Sequence, residues 1–264
     1  MTQDITSLAV QLEPLGLEDW RYYPVVTSTN DLALTWAAEG ARDNSLVIAD
    51  TQTAGRGRSN RQWVTHPGAA LAFSLILRPT EDEIACLPRF TALAALSLLA
   101  ALDQFDLKGS LKWPNDVLLA GKKTAGVLVE AEWQVDRLAA LVVGMGVNVT
   151  PEAVPPAADL RYPATSIESE LGETVDRWAL LASILHTLMH YRDRLTAPDF
   201  IRLWNDRLAF RGEKVNFRFP DGNIRSLTVT GVQSDGRLIL ETPQGETLRV
   251  VAGEIELAGR DNGS

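Results

Sequence analysis

Residues 110–149 read SLKWPNDVLLAGKKTAGVLVEAEWQVDRLAALVVGMGVNV. Runs dense in Val and Leu occupy 111–113, 116–119, 124–133 and 138–149. The turn Ala120-Gly121-Lys122 separates two of them, and 134–137 separates the next pair. Short aliphatic runs joined by tight turns predict an antiparallel sheet. On the N-terminal side, 22–26, 45–49 and 70–77 read as strands. The segment 27–40 (TSTNDLALTWAAEG) reads as a helix capped by Thr29 or Asn30 and closed by Gly40. Leu and Ala at helical spacing predict a buried helix over 87–105. On the C-terminal side, a Pro- and Ala-rich connection leads to helices over 176–194 and 198–208. Strands in runs with helices between them indicate an α+β fold. The first twenty residues carry mixed helical patterning and no recognisable module. After Phe210 the texture changes to short strands broken by Asp221-Gly222-Asn223, Asp235-Gly236 and Gln244-Gly245. These predict a small β-barrel and divide the chain into 1–210 and 211–264.

The 264 residues, 45% hydrophobic and 22% charged, suffice for one substantial core and a small appended domain. A net charge of −9 argues against non-specific nucleic-acid binding, which draws on surplus positive charge. Cys86 is the only cysteine, so no internal disulfide and no cysteine-built zinc site can form. The first residues lack the pattern of a signal peptide, and the greasy stretch 93–102 is too short to cross a bilayer. A soluble, cytoplasmic protein is expected. Of the 25 basic residues only Lys108, Lys112, Lys122, Lys123 and Lys214 are lysines. Most of these lie within 108–123, in a chain that elsewhere uses arginine. Lysine is a compact point charge and arginine a rigid fork, so the choice has chemical content at a site.

The segment GRGRSNRQW (55–63) alternates arginines with small residues immediately after a buried strand. Its glycines let backbone approach a ligand, and its arginines offer forked donors to phosphate or carboxylate. Trp63 can cover an apolar or heterocyclic group. It lacks the spacing of a Walker A loop. In Lys112-Trp113-Pro114-Asn115-Asp116 a cation, an amide and a carboxylate crowd a proline-stiffened turn, as a metal–nucleotide site requires. Lys122-Lys123 sits at a hairpin tip, and the glycines of Gly144-Met145-Gly146 allow close approach. His186 and His190 lie four apart on a helix without the glutamate of H-E-x-x-H, and read as ordinary helix residues. His66 has no evident partner. No G-x-S-x-G elbow is present.

In order and spacing, STN (28–30), QTAGRGRxxRxW (52–63), KWPND (112–116), KxAGxLxE (123–130) and GxGxNV (144–149) resemble the bacterial biotin–protein ligases. The resemblance runs from about residue 22 to residue 257. It implies a catalytic domain like that of class II aminoacyl-tRNA synthetases and a C-terminal SH3-like barrel. It also implies the reaction: biotin and ATP, with Mg2+, give biotinyl-5′-AMP, and the biotinyl group passes to a lysine of the biotin carboxyl carrier protein of acetyl-CoA carboxylase. Carried over by position, Ser28, Thr29, Asn30 and Gln52 line the biotin pocket. Arg56, Gly57 and Arg58 fold over biotin and the adenylate phosphate. Arg61 meets phosphates, Trp63 lies near the adenine and Asn148 approaches the adenosine. Lys123 takes the biotin carboxylate, while Lys112 and Asp116 serve the triphosphate and its magnesium. The family's loop usually reads GRGRxGR; here Asn60 replaces its last glycine, at modest expected effect because Asn tolerates the left-handed region. The match starts too late to leave room for the DNA-binding domain of some relatives, so no role on nucleic acid is expected. Relatives pair through the central sheet in some cases, which leaves a homodimer open. The rival readings are a lipoate or octanoate attachment enzyme of the same fold and a non-catalytic biotin sensor.

A water-labile adenylate needs shielding, and an Arg/Gly loop that closes on the ligand supplies it. Residues 53–63 should therefore be cut by protease more slowly with biotin and ATP than without. Equal cleavage rates would contradict this.

Overall fold

In a computed structural model, residues 2–17, 19–58, 61–63, 65–160 and 162–256 are described. Asn60, Ser59 and the end of the last expected strand at Leu257 lie outside them. The chain opens with helix α1 (Thr2–Leu12), strand β1 (Asp19–Val26), helix α2 (Thr29–Ala38) and strand β2 (Ser45–Gln52). The short strands β3 (Gly55–Arg56) and β4 (Gln62–Trp63) precede β5 (Ala70–Leu77), α3 (Glu81–Ile84) and α4 (Arg89–Asp103). Then come β6 (Gly109–Lys112), β7 (Asp116–Leu119), β8 (Lys122–Gln134) and β9 (Arg137–Asn148). Helices α5 (Ile167–Leu171), α6 (Arg177–Arg192) and α7 (Pro198–Asp206) follow. The chain ends in β10 (Lys214–Arg218), β11 (Ile224–Val232), β12 (Leu238–Glu241), β13 (Thr247–Val250) and β14 (Glu254–Glu256).

The large sheet runs β1-β2-β5-β9-β8-β7-β6, and only β1 with β2 is parallel. The fold is thus α+β with a mixed sheet. Side-chain alternation assigns its two faces. Leu46, Ile48, Leu75, Leu77, Leu141 and Val143 pack with α4 and α6 in the main core. The intervening Val47, Ile76, Ala140 and Val142 pack under α2 with Ala33, Trp36 and Ala37. Helices on both faces explain why β2, β5 and β9 read as unbroken apolar runs. Helix α4 is buried nearly all round, as its lack of charge predicts.

The second sheet, β13-β12-β11-β10-β14, is antiparallel throughout. It shares the main core: Trp113 and Phe217 have ring centroids 6.2 Å apart, and Trp113 Nε1 donates to the Gly236 carbonyl at 3.0 Å. Arg89 ties α4 to both units, donating to the carbonyls of Leu195 at 2.7 Å and Ser234 at 3.0 Å. Among the described residues no helix is long and apolar enough to cross a membrane.

Three details depart from the sequence reading. Ser28, not Thr29 or Asn30, is the N-cap of α2, and its side chain makes no capping bond. Thr29 and Asn30 are buried inside the first turn because their side chains serve the cavity described below. The final strand is broken in two at Gly253, whose φ of 139° turns the chain before β14. The unassigned N-terminal segment forms α1, which packs on α6.

Trp204 of α7 is 2% exposed in the core that joins the two sheets. Trp204→Ala should cost about 3–5 kcal/mol in urea unfolding, with both sheets lost in one transition. A change below about 1 kcal/mol, or separate transitions, would contradict a shared core.

Candidate active site

One end of the large sheet, the loop bearing β3 and β4, and the edge of the second sheet enclose a cavity of about 490 Å³. Ser28, Thr29, Asn30 and Gln52 line one wall, Arg56, Gly57, Arg58, Arg61 and Trp63 the loop, and Lys112, Asp116, Lys123 and Asn148 the sheet side. Lys122, beside Lys123 at the hairpin tip, instead pairs with Glu170 at 2.9 Å.

The first wall is a chain of polar contacts fixed by buried backbone. Thr29 donates from its N–H and hydroxyl to Gln52 Oε1 at 2.8 and 3.1 Å. The fully buried Ser74 hydroxyl lies 2.6 Å from Asn30 Oδ1 and 2.8 Å from Thr29 Oγ1. Asn30 Nδ2 donates to Glu130 Oε2 at 2.7 Å. Glycines make room for these groups. A Cβ on Gly144 would stand 1.9 Å from Asn30 Oδ1, and one on Gly146 would stand 2.3 Å from the Trp63 ring. The two glycines of β9 are there for approach, as their spacing suggested.

The charged centre arises from hairpin register. Lys112 and Asp116 pair across the β6–β7 turn, which holds a cis Trp113–Pro114 peptide, and Gly126 of β8 faces Asp116. Asn115 ties the turn to β8, Nδ2 donating to the Val127 carbonyl at 2.7 Å. Asp116 Oδ1 lies 2.6 Å from Lys123 Nζ and Oδ2 lies 3.6 Å from Lys112 Nζ. Both ends of the Lys112–Asp116 pair are nearly dry, at 6% and 8% exposure. Burial alone would raise the Asp116 carboxyl, but Lys123 and Lys112 together hold it below the ordinary carboxylate value. Burial likewise pushes the Lys112 ammonium down, more than Asp116 lifts it. Tyr162 closes this corner. Its ring lies 4.7 Å from Lys112 Nζ, and burial, with the charge of Asp116, pushes its phenol up to about 12.

The loop arginines divide. Arg56 is held by two acids, donating to Glu130 at 2.9 and 2.8 Å and to Asp31 at 2.6 Å. Arg61 is ion-paired with Glu254 of the second sheet. Arg58 has no ion-pair partner among the described residues, and burial pushes its guanidinium down. The loop also closes on itself, Gly57 N–H donating to the Arg61 carbonyl at 2.7 Å. Trp63 lies over the β9 glycines with Lys123 Nζ 5.7 Å from its ring. Asn148 is buried and donates to the Thr165 carbonyl at 3.1 Å. Reasoning from the sequence passed over Ser74, Tyr162, Asp31, Glu130 as the anchor of Arg56, and Glu254. Only Glu130, an acid inside the apolar run VLVEA, carries a local signal.

A resident metal does not fit these donors. Both Asp116 oxygens face ammonium groups, and no cluster of three His, Cys, Asp or Glu exists among the described residues. Magnesium commonly enters such sites on substrate phosphates with few protein ligands. The arrangement is built for anions: cations held close by one buried carboxylate, beside a polar pocket able to orient a small neutral head group.

The biotin/lipoate A/B protein ligase family matches residues 22–148, and the biotin protein ligase C-terminal domain matches 210–258. A biotin–[acetyl-CoA-carboxylase] ligase of Paracoccus denitrificans is 34% identical over 88% of this chain and 98% of its own length. The bifunctional ligase/repressor BirA of Bacillus subtilis is 33% identical over 89% of this chain and 73% of its own. Among solved structures, a biotin protein ligase from Aquifex aeolicus in complex with biotin and ATP superposes with a TM-score of 0.77 at 26% identity, covering 91% of this chain and 98% of that one.

Asp116→Ala removes the anion shared by two lysines and should cost about 3 kcal/mol at neutral pH. Stability of the variant should recover toward alkaline pH as unpaired, buried Lys112 gives up its proton, because the charged form is the one burial penalises. A loss that grows with pH would contradict the assignment.

Proposed function

The chain belongs to the biotin protein ligase family, and on that premise we propose that it joins biotin to ATP and passes the biotinyl group to a lysine of the biotin carboxyl carrier protein of acetyl-CoA carboxylase. The observation that carries the proposal is convergence. Arg58, Lys112 and Lys123 come from a loop and two separate strands into one cavity that also holds the Ser28–Asn30 and Gln52 wall.

In the first step a biotin carboxylate oxygen attacks the α-phosphorus, the bond to the bridging oxygen breaks, and pyrophosphate leaves. Two anions must meet, so the protein's task is positioning and charge neutralisation. Lys123 holds the carboxylate and Arg58 the α-phosphate. Buried Lys112 acts on the leaving phosphates, where low dielectric strengthens its pull. Thr29, Asn30 and Gln52, fixed in register by Ser74 and Glu130, fit the polar ureido head. Trp63, Arg61 and Asn148 serve the nucleotide side. A magnesium ion carried on ATP would neutralise part of the phosphate charge, while Lys112, Lys123 and Arg58 supply the protein's own cations. In the second step the acceptor amine attacks the acyl carbon and AMP leaves, Lys123 polarising the carbonyl. Residues 1–210 form the catalytic unit in this reading, and 211–264 the appended one.

The experiment supplies ATP with biotin, lipoate or octanoate and follows pyrophosphate. Release with biotin alone, followed by transfer to the carrier domain, is expected. Release with lipoate or octanoate instead would move the chain to the sister activity of the family. Lys123→Ala should lower biotin-dependent release at least about 100-fold, with a native far-ultraviolet spectrum. Wild-type turnover in that variant would remove the role given to Lys123.

A further inference from the structure

Among the described residues six cations line the cavity: Arg56, Arg58, Arg61, Lys112, Lys123 and Arg218. Their partners differ in a way that bears on how an anion enters. Arg56 is held by Asp31 and Glu130, and Arg218 by Glu256 at 2.6 Å. Lys112 and Lys123 share Asp116, which is buried and cannot leave without abandoning two charges. Arg61 has Glu254, and Glu254 differs from Asp116 on each count. It faces one arginine, its side chain is 38% exposed against 41% for Arg61, and it comes from the second sheet.

The position of Glu254 is a built one. Gly253 before it has φ 139°, and a Cβ there would stand 2.3 Å from the Phe217 ring and 2.7 Å from the Arg218 carbonyl. Only glycine lets the chain turn this tightly at the entrance to β14, and the turn carries Glu254 to the cavity. Glu254 also acts through space on Arg58 and Lys112. A carboxylate therefore stands among the cations expected to meet the triphosphate.

We propose that Glu254 is a stand-in for a nucleotide phosphate: it occupies Arg61 until a triphosphate enters, and is displaced by it. The inference rests on the proposed nucleotide chemistry of this cavity and adds a competitor to it. Displacement frees the second sheet from the loop, so the pair couples that sheet to nucleotide occupancy. An internal carboxylate that satisfies the arginine also keeps the cations together before substrate arrives, at the expense of nucleotide affinity.

Calorimetric titration with magnesium and α,β-methylene-ATP, which cannot react at the scissile bond, reads the competition without turnover. Glu254→Gln should bind the analogue roughly three- to tenfold more tightly than the unaltered chain, while the Kd for biotin changes by less than about twofold. In an Arg61→Gln background most of the gain should be lost, leaving only the weaker through-space effect on Arg58 and Lys112, which a merely structural role for Glu254 would not produce; a gain of undiminished size there overturns the proposal. Glu254→Ala, which keeps neither charge nor amide, should show the same gain and serves if the glutamine variant does not fold. Unchanged or weaker analogue binding in a folded variant overturns the proposal. Absence of biotin-dependent pyrophosphate release by the unaltered chain would overturn the proposed function, while the analogue titration still decides the place of Glu254.

Discussion

The cavity depends on keeping several cations close together in a nearly dry place before any anion arrives. Two ammonium groups a few ångströms apart would repel strongly there, and each would tend to shed its proton. Asp116 resolves this by lying between Lys112 and Lys123, one oxygen toward each. Its own ionisation is secured by the same two lysines, so the trio is mutually dependent. The hairpin that contains it is pinned by Asn115 and by register with β8, which fixes the backbone from which Asp116 and Lys123 extend.

Around that centre, packing decides which groups face the cavity. The β9 glycines exist because Asn30 and Trp63 occupy the volume a Cβ would need. Asn30 is then oriented by Ser74 and Glu130, and Glu130 in turn holds Arg56. The Ser28–Asn30 wall and the anchor of the arginine loop are thereby parts of one hydrogen-bonded chain. The three loop arginines, alike in sequence, differ in their partners: Arg56 is held by Asp31 and Glu130, Arg61 by Glu254 of the second sheet, and Arg58 has no ion-pair partner among the described residues.

Much of this was legible. Strands β2, β5 and β9 are legible because two-sided burial makes them apolar runs, and the short terminal strands because glycine turns punctuate them. The loop arginines, Trp63, Lys112, Asp116 and Lys123 are legible from local chemistry, with Lys against an arginine background as a further cue, whereas Ser28, Thr29, Asn30, Gln52 and Asn148 are assigned to the cavity only through the family resemblance. What escaped notice shares a physical reason. Ser74 is an ordinary residue inside an apolar strand, and only its neighbours in three dimensions give it meaning. Glu254 is 193 residues from its partner Arg61, and Tyr162 approaches Lys112 from a connection without regular structure. The cap of α2 was misread because Thr29 and Asn30, good capping residues by type, have side chains drawn into the cavity. The division of labour among the arginines depends on which carboxylates the fold brings near them, which no local pattern records.

The central claim is that Arg58, Lys112 and Lys123 meet in one cavity the charges of the two reacting groups, a carboxylate and a triphosphate. The most direct measurement is a crystal structure with a non-hydrolysable sulfamoyl analogue of biotinyl-5′-adenylate. The account predicts the biotin ring system against Thr29, Asn30 and Gln52, with Lys123 at the acyl group and Arg58 at the sulfamoyl oxygens. An analogue bound elsewhere, or bound in the cavity with Lys123 still directed only at Asp116 and Arg58 at solvent, would contradict it.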